Sequence, residues 1–157
     1  MMQKKVQIIS DGSLDLSQEL TKEKDIEVVP FYVSFDSETY QKEMVEVGVR
    51  EFYQEMVDHP TVFPKTSMPS VHDYYEVFEK HAKEKMPVIC ICITRKFSGS
   101  LQSATTAKDM ILEEYPDAQI TVIDSTVNTV LQGLYVLEAC RLRDMGLEYQ
   151  QIVDANP

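Results

Sequence analysis

Hydroxyl groups are the side chains of this sequence best placed for chemistry, and they fall in four short stretches: Ser10-Asp11-Gly12-Ser13, Thr66-Ser67, Thr94-Arg95-Lys96-Phe97-Ser98-Gly99-Ser100 and Asp124-Ser125-Thr126. Three of the four follow directly on a Val/Ile run and open a helical pattern. A helix start carries free backbone N–H groups and the positive end of the helix dipole, so hydroxyls gathered there favour a small anionic head group. A second reading is an enzyme acting on a small anionic ester or phosphate, using Ser98 with Asp11 or Asp124. The residues weigh against Ser98 as a hydrolase nucleophile. Lys96 stands where the G-x-S-x-G elbow needs its first glycine, and no histidine follows His81, which rules out the Ser, acid, His chain order of α/β-hydrolases. Ser98 or Ser100 also suits a plain capping role at the helix that carries Leu101, and capping by one leaves its neighbour free to bind.

Other chemistries lack their residues. The five glycines (Gly12, Gly48, Gly99, Gly133, Gly146) form no GxGxxG and no GxxxxGK[ST], so dinucleotides and nucleoside triphosphates lose their usual warrants. Cys90 and Cys92 share one face of a Val/Ile run and read as small buried apolar residues rather than a thiolate metal pair. With Cys140 they make an odd count of three, which is not a secreted disulfide framework. His59, His72 and His81 have no HxH or HxxxH spacing and are expected at solvent-facing positions; no metal or other cofactor is expected. The 157 residues include 26 acidic and 15 basic side chains, a net charge of −11 that is interspersed along the chain and repels nucleic acid. The longest uncharged stretch near the C-terminus, 125–137, is 13 residues, short of the roughly 20 of a bilayer span. The opening Met1-Met2-Gln3-Lys4-Lys5 lacks the apolar region of a signal peptide, so a cytoplasmic location is expected.

The elements that position these stretches follow from periodicity. Continuous Val/Ile runs at 6–9, 88–93 and 120–123 read as strands buried on both faces. A fourth run at 27–33 is broken by Pro30 and belongs at an edge or a bulge. Val49, Phe52, Tyr53, Met56 and Val57 predict a helix that stops at His59-Pro60. Val71, Tyr74, Tyr75 and Phe78 predict another behind Ser70, with Asp73 completing a capping box. Each is expected to bury one face. Leu101, Ala104, Ala107 and Ile111 form a narrower stripe, and Val127, Val130, Leu131 and Leu134 begin a longer helix ending in a left-handed cap at Gly146. Pro64 and Pro69 hold 63–70 extended between helices. Strands alternating with helices predict an α/β fold, a mainly parallel sheet with helices on both faces and the hydroxyl loops along its carboxyl edge. The apolar turn at 148–153 is too short to stand as a helix in water. It predicts a chain cut within a larger protein, with an apolar patch there through which copies self-associate.

Several of these stretches also match a known pattern. Ile9-Ser10-Asp11-Gly12-Ser13-Leu14-Asp15-Leu16 resembles an opening that usually reads TDSTADL, and Val28-Val29-Pro30 is close to VVPL. Thr66-Ser67-Met68-Pro69-Ser70 is similar to TSQPS, Phe97-Ser98-Gly99-Ser100-Leu101-Gln102-Ser103-Ala104 to LSGTYQSA, and Ile123-Asp124-Ser125 to IDS. Together they resemble the DegV family of bacterial fatty-acid-binding proteins. The resemblance implies a protein of two α/β domains, of which residues 1–157 match the first alone. It implies a carrier rather than a catalyst, binding a long-chain fatty acid and in some members presenting it to a separate fatty acid kinase. The carboxylate site carries over to Thr66 and Ser98, with the Gly99 backbone nearby and Ser67 assisting. Asp11, Ser13, Ser100 and Ser125 are further loop contacts, and basic and imidazole groups of the second domain complete the site. Met68 replaces the usual Gln, Gly12 the usual Ser or Thr, and Ser100 the usual Thr. A fragment that binds nothing alone is the remaining alternative.

Overall fold

A computed structural model describes residues 4–155; the features read above at 1–3 and 156–157 lie outside the described residues. The chain runs β1 (Gln7–Asp11), a 3₁₀ turn (Gly12–Leu14), α1 (Gln18–Glu23), β2 (Ile26–Val29), β3 (Tyr32–Ser34), β4 (Gln41–Lys42), α2 (Val49–Asp58), β5 (Lys65–Ser67) and α3 (Val71–Lys83). It continues through β6 (Val88–Cys92), α4 (Ser100–Glu114), β7 (Ile120–Asp124), α5 (Thr129–Asp144) and α6 (Tyr149–Asp154). The expected mainly parallel α/β sheet is present, with order β2-β1-β6-β7 and every pair parallel.

Strands β1 and β6 are covered on both faces, whereas the run at 120–123, expected to be buried likewise, forms the edge strand β7 and buries only Ile120. Ile9, Val88, Cys90 and Cys92 pack with Tyr74 and Phe78 of α3 and with Ala104, Ala107 and Ile111 of α4. Their alternates Ile8, Ile89 and Ile91 pack on the other face with Val136 and Cys140 of α5 and Ile152 of α6. The Ser70/Asp73 capping box forms at the start of α3. Gly146 (φ 89°) ends α5 as expected. Its N–H donates to the Arg143 carbonyl and that of Leu147 to the Leu142 carbonyl, the paired bonds of a Schellman cap.

Four further expectations need correction. Pro30 separates two strands of different sheets: β2 is the edge of the parallel sheet, while β3 is the centre of a small antiparallel sheet ordered β4-β3-β5. Helix α2 forms but buries none of its residues; Val49, Tyr53 and Val57 are exposed. Its amphipathic pattern faces a cleft rather than a core. The turn at 148–153 is docked, with Ile152 only 3% exposed, because α6 packs against α5 and β6. Apolar surface lies instead at Val130, Leu131 and Leu134 on α5. His81 is buried, and its Nε2 is paired with Glu27 Oε2.

Candidate functional site

The order β2-β1-β6-β7 places a switch point between β1 and β6. The chain leaves β1 toward β2 on one side and leaves β6 toward β7 on the other, so a crevice opens at their carboxyl ends. The Asp11 loop and the Ser98 loop flank it. Asp11, the last residue of β1, is wholly buried. Its Oδ1 accepts from the Ser13 N–H (3.3 Å) and from Gln132 Nε2 (2.8 Å); its Oδ2 accepts from the Ile93 N–H (2.9 Å) and from Ser100 Oγ (2.8 Å). Burial pushes the Asp11 carboxyl above the usual carboxylate range, and the bonds from Gln132, Ile93, Ser100 and Ser13 pull the other way without overcoming it.

Ser98, half-buried, accepts the Ser100 N–H on its Oγ at 3.1 Å, a local turn one residue before the helix cap, which is Gly99 and carries no side-chain bond, so neither serine caps α4, contrary to expectation. Gly99, next in chain, is the residue against which Met68 packs: a Cβ at position 99 would come 2.5 Å from Met68 Sδ. The stretch carrying Thr66 and Ser67 is thereby brought to the Ser98 loop. Thr66 and Ser67 are exposed on β5, paired to Val33 and Tyr32 of β3. Thr66 lines a cavity of about 820 Å³, shared with Gly12, Leu16, Val33, Met44 and Phe52; Ser67, Ser98 and Gly99 are outside that lining. Glu43, also on that wall, accepts from the Phe31 N–H at 3.2 Å. Burial raises its carboxyl, the Phe31 bond lowers it, and the Asp11 charge raises it further.

The other named residues hold loops together. Ser100 is wholly buried between Asp11 and Tyr74. Ser13 Oγ accepts from the Thr129 N–H at 3.5 Å at the start of α5. Ser125 Oγ bonds within its own turn, donating to the Val127 carbonyl at 3.1 Å. Asp124 Oδ1 accepts from the Thr126 N–H, and its Oδ2 lies 3.7 Å from Arg95 Nε. Neither Asp11 nor Asp124 is hydrogen-bonded to Ser98 among the described residues. Gln132 and the Tyr74 hydroxyl were not anticipated from sequence. The one available signal for Gln132 was a polar side chain one residue from Gly133 within the apolar stretch 130–137 of α5.

The family model described as "Uncharacterised protein, DegV family" matches residues 5–156. The chain belongs to the DegV family. A DegV domain-containing protein of Clostridium acetobutylicum is 34% identical over 148 residues, covering 94% of this chain and 51% of that protein. A crystallised stearic-acid-binding protein from Eubacterium ventriosum is 46% identical with a TM-score of 0.90, covering 95% of this chain and 51% of that one. A fatty-acid-binding DegV family protein from Thermus thermophilus is 28% identical with a TM-score of 0.79, covering 96% and 51%. This DegV chain spans about half the length of the curated relatives it matches. Among its described residues there is no His/Cys/Asp/Glu group able to hold a metal ion, and no helix is long and apolar enough to cross a membrane.

Proposed function

We propose that this chain is the first α/β domain of a cytoplasmic DegV carrier that binds a long-chain fatty acid, with the hydroxyls of Thr66 and Ser98 receiving the carboxylate, assisted by Ser67 and the Gly99 backbone. The observation that carries the reading is the state of Ser98: its oxygen already accepts the Ser100 N–H, which leaves its own proton to donate to an anion. The likeness to the stearic-acid-binding protein supports the choice of anion. A buried alkyl chain gains about 0.8 kcal/mol per CH₂, so a 16-carbon acid gains about 10 kcal/mol before ordering costs, and the tail supplies most of the affinity.

The domain acts as a carrier rather than a catalyst, for presentation to a fatty acid kinase subunit. Asp11 spends its acceptor positions on Ser13, Gln132, Ile93 and Ser100, while Asp124 accepts from Thr126 and faces Arg95; neither is bonded to Ser98, which disfavours the ester or phosphate enzyme. A second α/β domain completes the carboxylate site with basic groups, and the isolated chain self-associates through the apolar face of α5.

The test is calorimetric titration with stearic acid of the delipidated protein carrying its second domain, which supplies the rest of the site. Ser98→Ala and Thr66→Val each remove a hydrogen bond to a charged group and are expected to weaken binding about ten- to a hundred-fold. Their double variant falls short of the sum, because both hydroxyls serve one carboxylate. Absence of binding, or unchanged affinity in both single variants, overturns the assignment.

A further inference from the structure

We infer that Asp11 is a positioning residue of this site: its buried carboxylate fixes the Ser98 hydroxyl through Ser100. The inference rests on the fatty-acid reading for its consequence but not for its geometry.

An ionised carboxylate is an acceptor only, with about four lone-pair positions, and Asp11 meets four donors. The Ser13 and Ile93 N–H groups, one on each oxygen, can only donate; with the carboxylate ionised, Gln132 and Ser100 donate as well, and the direction of every bond around it follows. Ser100 has one hydroxyl proton and gives it to Asp11 Oδ2, so at 2.6 Å the Tyr74 hydroxyl must donate to Ser100. The Tyr74 oxygen is then open to the Cys92 thiol at 3.7 Å. Gln132 must turn its Nε2 toward Asp11, and the same group reaches Ser10 Oγ at 3.1 Å. Ser100 is thus held at both ends, its Oγ on Asp11 and its N–H on Ser98 Oγ. The N–H occupies one acceptor position of Ser98 and turns the Ser98 proton away from the protein backbone.

The same carboxylate joins segments that are remote in sequence. It holds the 3₁₀ turn through Ser13, the end of β6 through Ile93, the start of α4 through Ser100 and the first turn of α5 through Gln132. Being wholly buried, it cannot touch a ligand. Its effect on binding passes through the loops it aligns.

Asp11→Asn tests this, because the amide turns an N–H₂ toward two of the four donors. In the ligand-free protein, amide resonances of Ile93, Ser98 and Ser100 are expected to shift together, which a purely global loss of stability would not produce below the melting transition. Stearic acid affinity is expected to fall about ten-fold or more, and adding Ser98→Ala is expected to cost little beyond that. Should Asp11→Asn not fold, Ser100→Ala cuts the same link while leaving three donors on the carboxylate, and the same resonance shift at Ser98 is expected. Unmoved Ser98 resonances in the folded variant overturn the inference whether or not stearic acid binds. Stearic acid binding by the parent chain that Asp11→Asn leaves unchanged overturns it while the fatty-acid reading stands. No binding by the parent protein with its second domain present, while the resonance shifts appear, overturns the fatty-acid reading alone.

Discussion

The Glu43 carboxylate rests against Gly12, in the space a side chain at position 12 would occupy. The same Glu43 oxygen accepts the Phe31 N–H, so it cannot withdraw without leaving that donor unpaired. The DegV pattern carries Ser or Thr at this place, and the departure to Gly12 is explained by the carboxylate opposite. Gly12→Ala is expected to destabilise by about 1–3 kcal/mol. Chemical denaturation of Gly12→Ala, Glu43→Ala and the double variant should show positive coupling, the double being more stable than the sum of the singles. Strict additivity would refute the pairing.

Gly133 lies inside α5, where alanine would ordinarily gain about 1 kcal/mol of helix propensity. A Cβ there meets the Leu14 carbonyl oxygen, which is backbone and does not yield, and then the Leu16 side chain at 3.0 Å. The clash outweighs the propensity gain. Gly133→Ala is expected to lower stability by about 1–3 kcal/mol in urea denaturation; a stabilised variant would show that α5 is free to move off the 3₁₀ turn.

Glu27 predicts a pH dependence. Burial alone would raise its carboxyl, but hydrogen bonds and charge from His81 and Lys80 bring it below its ordinary value of 4.5. A depressed carboxylate contributes stability that is complete above its unfolded value and is lost as pH falls through its folded value. Asp11, shifted upward, contributes the opposite slope. The difference between the parent chain and Glu27→Gln isolates the first effect: in denaturation from pH 7 down to pH 3, the variant is expected to start less stable and to lose less on acidification. Parallel curves would refute the pair's role.

Tyr74→Phe keeps the ring, which packs 5.8 Å from Phe78, and removes the hydroxyl that donates to Ser100. Leaving that buried acceptor short of a donor is expected to cost about 1–3 kcal/mol, read as a lower denaturation midpoint. No loss would mean that the hydroxyl contributes nothing net to the network.

The parallel sheet was legible because its two central strands are covered on both faces and so are written mostly in Ile, Val and Cys. The loops after the Val/Ile runs were legible because hydroxyl residues follow each run before the next helical pattern begins. Gln132 was not, because its partner Asp11 lies 121 residues away and a lone glutamine on a helix looks like a surface residue. His81 was misread for a similar reason: its neighbours on α3 are charged, and Glu27, which justifies its burial, is 54 residues earlier. Helix α2 shows a further limit. Periodicity predicted the helix and its apolar face, but not that the face would border a cleft. Pro30 pointed to an edge, where β2 lies, but the split of 27–33 into two strands of different sheets depends on β3 finding β4 and β5, strands of two and three residues that carry little signal of their own.

Thr66 belongs to the antiparallel sheet and Ser98 to the loop after β6 at the carboxyl end of the parallel one, and the chain joins the two sheets across Pro30 and Phe31 and again from β5 through α3 to β6. The side-chain ties between them are single contacts: the Tyr32 hydroxyl donates to Asp73 at the start of α3, the Gln18 amide to the Met44 carbonyl, Glu43 rests against Gly12, and Met68 leans on Gly99. A ligand gripped by both hydroxyls therefore works as a rivet through two plates. Heated empty, the small plate is free to detach before the large one gives way; heated with the rivet in place, the two should come apart in a single event.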